Sequence, residues 1–128
     1  MHLGYVIIYV KDVGSTVDFY EKAFGLTCRF LDEGKTYAEM ETGTTALAFV
    51  DETMVKKSHP FRENRPQEKA AGIEIGLVTK DVEKQFKRSV DAGAIAVVEP
   101  MQKPWGQRVS YVKDNNGCLV ELCSPMGS

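Results

Sequence analysis

A chain of 128 residues, 43% of them hydrophobic and 27% charged, has the size and composition of one soluble globular domain that needs no disulfides. The net charge of −2 gives no electrostatic reason to bind nucleic acid, so we set that class of function aside. No segment reaches the roughly 20 apolar residues that cross a bilayer, and no export signal is recognisable, so we expect no membrane association and a cytoplasmic protein.

The sequence repeats itself at a constant offset of 69 residues, as YVIIYVKDVGSTVDFY (5–20) and EIGLVTKDVEKQFKRS (74–89). In the first copy, the β-branched run from Val6 to Val10 predicts a strand. Asp12 is a candidate N-cap, and the following helical spacing predicts a helix that Gly25 ends. Residues 28–51 alternate strand-type runs with turn signals. Residues 1–51 are therefore predicted to form one βαβββ module.

The second half of the chain predicts the same order of elements. Residues 52–72 are polar and charged with two prolines, which indicates a linker or mobile flap. After this segment, the run from Ile73 to Val78 predicts a strand. Asp81 is a candidate helix N-cap, and Gly93 is expected to end that helix. Residues 94–123 again alternate strand-type runs with turn signals. The predicted fold class is α+β: one domain, 1–128, in which two βαβββ modules (1–51 and 73–128) form a cupped mixed sheet with helices on its outer face.

The chain resembles the vicinal oxygen chelate superfamily in four features. These are the two βαβββ modules, the opening YVKDVGSTVDFYEKAFGL, the segment KPWGQRVSYVKDNNG and the closing CLVEL. That superfamily includes glyoxalase I, bleomycin-resistance proteins, fosfomycin-resistance enzymes and extradiol dioxygenases. The resemblance covers nearly the whole chain and is closest in style to the bleomycin-resistance proteins. It implies a homodimer that binds a small molecule in a cavity of the sheet, on a scaffold that supports several chemistries.

Strand alternation predicts which side chains face that cavity. Successive strand residues point to opposite faces, so Tyr5, Tyr9, Glu74 and Glu121 are expected on the side away from the helices. The resemblance implies that Tyr5, Glu74 and Glu121 stand at three of the superfamily's four metal-ligand positions. The fourth position is Ala48.

This set of residues departs from the superfamily's usual ligands, which are commonly histidine and glutamate. A catalytic metal needs at least three good protein ligands. Glu121 fits outright and Glu74 can supply an oxygen, but Tyr5 must lose a proton with a pKa near 10 and Ala48 has no donor. We therefore expect no cofactor. If a divalent metal does bind, Glu74 and Glu121 are its ligands.

Four side chains each allow a structural and a functional interpretation. Trp105 is either a packed aromatic after a proline turn or a stacking surface for a planar ligand. Arg108 is either a surface ion-pair residue or a group that holds an anionic ligand near Trp105. Tyr5 and Tyr9 either fill the cavity or contact the ligand. His59, in the segment 52–72, is interpreted as a solvated surface residue.

Three functions remain open at this point. The first is a non-catalytic protein that binds and sequesters a small, partly aromatic molecule, as bleomycin-resistance proteins do. The second is a metal-dependent lyase, dioxygenase or thiol transferase that uses Glu121 and Glu74. The third is a metal-free isomerase or lyase in which one of these glutamates is the general base.

Overall fold

Each half of the chain folds into a βαβββ module in the computed structural model, which describes residues 1–127. The first compact unit ends at Asn64 and the second begins at Arg65. The elements of the first unit are β1 (Tyr5–Val10), α1 (Val13–Phe24), β2 (Cys28–Leu31), β3 (Tyr37–Met40), β4 (Ala46–Asp51) and α2 (Glu52–Lys56). Those of the second are β5 (Glu74–Val78), α3 (Val82–Asp91), β6 (Ile95–Gln102), β7 (Arg108–Lys113) and β8 (Leu119–Cys123).

The strands form two separate four-stranded mixed sheets with the same topology, β1-β4-β3-β2 and β5-β8-β7-β6. β1 runs parallel to β4, and β5 runs parallel to β8. All other strand pairs are antiparallel. The predicted α+β class and the two βαβββ modules are confirmed. Each sheet is open. None of the helices within residues 1–127 has the length and apolarity needed to cross a membrane.

The predicted helix boundaries follow from local capping. Asp12 accepts a hydrogen bond from the Ser15 amide at 2.8 Å, and Asp81 accepts one from the Lys84 amide at 3.1 Å. Both aspartates are therefore N-caps, as predicted, and each satisfies an amide that the first helical turn leaves unpaired. Gly25 ends α1 in the left-handed conformation with φ of 68°, which costs a glycine little.

In the first unit, α1 packs on one face of its sheet. Tyr20 of α1 contacts Phe49 of β4 with ring centroids 4.8 Å apart, and both side chains are fully buried. Ile8 and Val10 of β1 are buried as well, which confirms the predicted helix-facing side of that strand. We call the other side the first open face; its residues include Tyr5, Ile7, Tyr9, Glu39 and Ala48.

In the second unit, the buried side of the sheet lies under α3. Val112 of β7 and Val120 and Leu122 of β8 have no exposed surface, so this side forms the apolar core of the unit. We call the other side the second open face. Its residues include Glu74 and Val78 of β5, Tyr111 of β7, and Leu119 and Glu121 of β8.

The segment 52–72 carries defined structure on both sides of the unit boundary. It begins with α2, and Asn64 donates from Nδ2 to the Tyr9 carbonyl at 3.1 Å within the first unit. In the second unit, the Arg65 carbonyl lies so close to Gly117 that a Cβ there would meet its oxygen at 2.3 Å. Because Gly117 also has φ of 86°, no other residue fits this turn without strain.

Candidate functional site

Two carboxylates share the second open face. Glu74 is the first residue of β5, and Glu121 lies in the middle of β8, directly opposite Gly76. Because Gly76 has no side chain, it leaves space for the side chain of Glu121. A Cβ at residue 76 would lie 3.6 Å from Glu121 Oε1. Strand alternation thus brings Glu121 beside Glu74.

Tyr111 completes this cluster, although no motif in the sequence marks it as a site residue. It lies opposite Glu121 in the β7–β8 pair and donates from its hydroxyl to Glu121 Oε2 at 3.0 Å. The pKa of Tyr111 is raised to about 12. The largest cause is partial burial, and the hydrogen bond to Glu121 and the negative charge of Glu121 raise this pKa further. The phenol therefore remains a neutral donor at physiological pH. We call Glu74, Tyr111 and Glu121 the carboxylate cluster.

The carboxyl group of Glu74 is electrostatically coupled to Glu121. Partial burial of the carboxyl raises the pKa of Glu74, and the charge of Glu121 and a hydrogen bond with it raise that pKa further. Two adjacent carboxylates repel each other, so one of them holds its proton to a higher pH than usual. A carboxyl group whose pKa is raised is a stronger base than an ordinary glutamate, which is a property of catalytic carboxylates.

The residues that correspond to the carboxylate cluster in the first unit have different chemistry. Tyr5 begins β1 as Glu74 begins β5, and Ala48 lies opposite Ile7 as Glu121 lies opposite Gly76. Ala48 is fully buried and Tyr5 is 55% exposed. The two positions thus offer a phenol and a methyl group where the second sheet has two carboxylates.

A different carboxylate occupies the first open face. Glu39 of β3 lies opposite Ala48, accepts the Tyr37 hydroxyl at 2.7 Å and accepts Arg29 Nη2 at 2.8 Å. The pKa of Tyr37 is raised to about 12, mainly because the phenol is partly buried. The hydrogen bond to Glu39 and the charge of Glu39 contribute less. Because Arg29 neutralises Glu39, this group is a satisfied ion pair rather than an available acid or base.

These residues do not fit the four-ligand metal centre that the resemblance implies. Ala48 has no donor atom, and the Tyr5 phenol binds a metal well only after it loses a proton. Throughout residues 1–127, no three His, Cys, Asp or Glu side chains come together as a possible metal-binding group. The donor set is therefore incomplete for that centre.

Two further predicted site residues lie away from the carboxylate cluster. Trp105 lies in the β6–β7 turn, is 59% exposed and donates from its indole nitrogen to Gln107 Oε1 at 2.9 Å. Arg108 points to the helix side, where its Nε donates to Glu83 of α3 at 2.7 Å. Trp105 is thus held in place with much of its ring exposed, while Arg108 is engaged in an ion pair.

His59 contacts a predicted site residue, although the sequence analysis interpreted it as a solvated surface residue. Its Nε2 lies 3.1 Å from the hydroxyl of Tyr9, and the aromatic ring of Phe61 lies 4.7 Å from that of Tyr9, centroid to centroid. No local sequence pattern links residues 9 and 59, which are 50 positions apart. Tyr9 therefore stands on the first open face with an imidazole at its hydroxyl.

Comparison with known proteins gives consistent results. A sequence model of the Glyoxalase/Bleomycin resistance protein/Dioxygenase superfamily matches residues 2–122. The uncharacterized protein YraH of Bacillus subtilis (strain 168) is 24% identical over 124 residues, 95% of this chain and 97% of YraH. Among solved structures, a glyoxalase-related enzyme from Fulvimarina pelagi has a TM-score of 0.82 at 17% identity, covering 98% of this chain and 88% of that one. TioX from Micromonospora sp. ML1 has a TM-score of 0.72 at 24% identity, covering 97% and 98%. At such identities the structural likeness establishes the fold alone.

Proposed function

The chain belongs to the Glyoxalase/Bleomycin resistance protein/Dioxygenase superfamily, and on that premise we propose that it binds a small, partly aromatic molecule through the carboxylate cluster. The observation that carries the proposal is the position of Glu74, Tyr111 and Glu121 on the open face of a sheet rather than in its helix-packed core. A carboxylate that only supported the fold would be expected among buried donors.

The cluster offers a defined set of hydrogen-bonding groups to a ligand. Glu121 accepts, the Tyr111 hydroxyl, whose proton is donated to Glu121, can accept through its oxygen, and Glu74 adds a second carboxyl group whose pKa is raised by burial and by Glu121. Val78, 66% exposed on the same face, and Leu119, half-buried there, offer apolar surface beside these polar groups. A few fixed polar groups beside apolar surface are typical of small-molecule sites. The ligand this supports has an apolar or aromatic body and at least one hydrogen-bond donor.

The other predicted ligand contacts remain part of the proposal. Tyr5, Tyr9 and Ala48 belong to the first open face, where the two tyrosines offer aromatic surface for a planar group, whereas the Ala48 side chain is fully buried. Trp105 offers a stacking surface at the β6–β7 turn. Arg108 can contact an anionic ligand only by leaving Glu83, so we assign it a secondary role.

A second candidate function is a metal-free isomerase or lyase, and one observation favours it. Burial and the neighbouring Glu121 raise the pKa of Glu74, which moves a carboxyl group toward the pH at which acid–base catalysis is efficient. In this function Glu74 exchanges a proton with the substrate while Glu121, held by Tyr111, keeps its position.

The finer biological assignments follow from the same proposal. We propose a sequestration or resistance role in the cytoplasm, in the style of the bleomycin-resistance proteins, with a homodimer as the working form. Sheet edges favour such an assembly, since β1, β2, β5 and β6 each pair on only one side within their own sheets.

A thermal-shift screen tests ligand binding directly. A ligand that binds only the folded protein at 100 times its Kd stabilises it by about 2.7 kcal/mol. We expect hits among small aromatic compounds with a hydrogen-bond donor, with equal shifts in the presence and absence of divalent metal ions. Glu121→Gln should abolish the shift, whereas Glu99→Gln, which removes an exposed carboxylate of the same unit, should retain it. Hits that survive Glu121→Gln would place the ligand elsewhere.

A further inference from the structure

We propose that Tyr9, His59 and Ser58 form an acid–base relay in the first unit, in which Tyr9 exchanges a proton with a ligand and His59 serves as its base. The three groups form a continuous chain of contacts: Tyr9 Oη to His59 Nε2 at 3.1 Å, and His59 Nδ1 to Ser58 Oγ at 3.1 Å. A reactive hydroxyl bonded to a base, which is itself oriented by a third group, is the arrangement that activates side chains in enzymes.

The contact with Ser58 orients the imidazole ring of His59 and favours one of its two tautomers. When Nδ1–H donates to Ser58 Oγ, the lone pair of Nε2 is directed at the Tyr9 hydroxyl and can accept its proton. A histidine held through one ring nitrogen presents the other in a fixed orientation. In the relay His59 is in this tautomer.

The backbone around the relay is fixed independently of any ligand. The amides of Ser58 and His59 both donate to the Val55 carbonyl, at 2.9 and 3.1 Å, so the end of α2 positions both residues. Asn64 donates to the carbonyl of Tyr9 at 3.1 Å. The geometry is therefore preorganised, which is what proton transfer requires.

The surroundings indicate the class of ligand. Tyr9 is half-buried beside the half-buried Phe61, and Ile7, which is 46% exposed, precedes it on the same face. His59 is exposed, so its proton can exchange with water. Neither Phe61 nor Ile7 carries charge, and the Tyr9 oxygen can accept a hydrogen bond from a ligand hydroxyl while its own proton is directed at His59. The relay therefore fits an uncharged small molecule with an apolar body and a hydroxyl or enol group.

The proton balance is simple. The ligand O–H proton moves to Tyr9 Oη while the Tyr9 proton moves to His59 Nε2, and the resulting imidazolium releases a proton to water. No bond to carbon forms or breaks, and no oxidant or reductant is required. In the reverse direction His59 returns a proton through Tyr9 to the ligand oxygen. The relay lies wholly within the first unit, so this proposal does not depend on ligand binding at the carboxylate cluster.

The test measures the reactivity of Tyr9 toward benzenesulfonyl fluoride. An S–O bond forms at Tyr9 Oη, the S–F bond breaks, His59 takes the phenol proton and fluoride leaves; peptide mass spectrometry locates the product. Tyr5 is the internal reference, because it lies on the same strand and face, is 55% exposed, and has no histidine hydrogen-bonded to its hydroxyl among residues 1–127. Since a positioned base typically contributes about 100-fold, we expect labelling of Tyr9 at least about 10-fold faster than labelling of Tyr5.

His59→Gln should lower Tyr9 labelling by about 10-fold or more, because glutamine keeps hydrogen-bonding groups but is not a base. Glu99→Gln, a matched control in the second unit, should leave labelling unchanged. Equal labelling of Tyr9 and Tyr5, or labelling of Tyr9 that survives His59→Gln, would overturn the relay.

Nitrogen NMR of the ¹⁵N-enriched native chain, not treated with the sulfonyl fluoride, provides a measurement that needs no variant. Long-range ¹H–¹⁵N spectra distinguish the two histidine tautomers, and His2 serves as the reference signal. We expect the neutral form of His59 to carry its proton on Nδ1 and to leave Nε2 unprotonated. A proton on Nε2 would direct a donor at Tyr9 instead of a base, and the relay would be wrong.

Discussion

The variant Glu121→Gln tests whether the Glu121 carboxylate serves ligand binding or holds the fold together. Glutamine has nearly the same size and retains an oxygen that can accept the Tyr111 hydroxyl, now 3.0 Å from Glu121 Oε2. The hydrogen bond loses its charged partner, which costs about 1 kcal/mol. The repulsion that raises the pKa of Glu74 is removed at the same time, and this offsets part of the cost.

We therefore expect the free energy of unfolding at pH 7 to change by no more than about 1 kcal/mol, measured by urea denaturation. Carboxyl ¹³C NMR should show a larger effect on Glu74. Two of the three causes that raise its pKa come from Glu121, so its titration midpoint should fall toward the ordinary glutamate value of 4.5. Ligands found in the thermal-shift screen should lose affinity.

Two control variants make this experiment specific. Glu99→Gln removes an exposed charge from β6 and should leave the Glu74 titration where it was. Tyr111→Phe removes the hydrogen bond but keeps the charge of Glu121, so the pKa of Glu74 should stay raised. A loss of more than about 2 kcal/mol in Glu121→Gln, with an unchanged Glu74 titration, would show a buried structural carboxylate and refute the site.

Three other outcomes are expected. Elemental analysis of the purified protein should find no stoichiometric nickel, zinc, iron or manganese, and near-equimolar metal that disappears in Glu121→Ala would favour the metal-dependent enzyme. Light scattering at micromolar concentration should give about twice the chain mass of 14.2 kDa, and a value near the single mass would contradict the homodimer. Alkaline ultraviolet titration should find Tyr37 and Tyr111 ionising near pH 12, and Tyr111→Phe should remove one of these two high-pH transitions. Because their pKa values are raised in the folded chain, the stability they contribute is complete below pH 10, the ordinary tyrosine value, and is lost as the pH rises through 12.

The fold could be predicted because its signals are local. Asp12 and Asp81 are recognised by residue type and by the strand that precedes them, and both cap helices as predicted. The predicted strands at Val6 and Ile73 begin within one residue of the observed β1 and β5. Once the first module was recognised, the 69-residue repeat predicted the second.

The site was less predictable because alternation gives the face of a residue but not its partners. Glu121 was expected on the side away from the helix, but its bond to Tyr111 depends on the β7–β8 register, which no single strand contains. The contact between Tyr9 and His59 joins a strand to an irregular segment 50 residues later. Arg108 lies on the same side of β7 as the buried Ser110 and Val112; alternation groups these three residues, but the sequence alone did not show that their side faces the helix.

The two modules explain in steric terms why β8 carries a carboxylate at the position where β4 has Ala48. Opposite residues in a parallel strand pair share space on one face, and each sheet combines a large residue with a small one there. In the first sheet Ile7 lies opposite Ala48, whereas in the second Gly76 lies opposite Glu121. A glutamate at position 48 would therefore compete with the side chain of Ile7 for space that Gly76 leaves open for Glu121. Restoring a carboxylate ligand in the first module requires two coordinated changes, Ala48→Glu with Ile7→Gly, and the absence of a donor at position 48 is consequently built into the packing of β1 against β4.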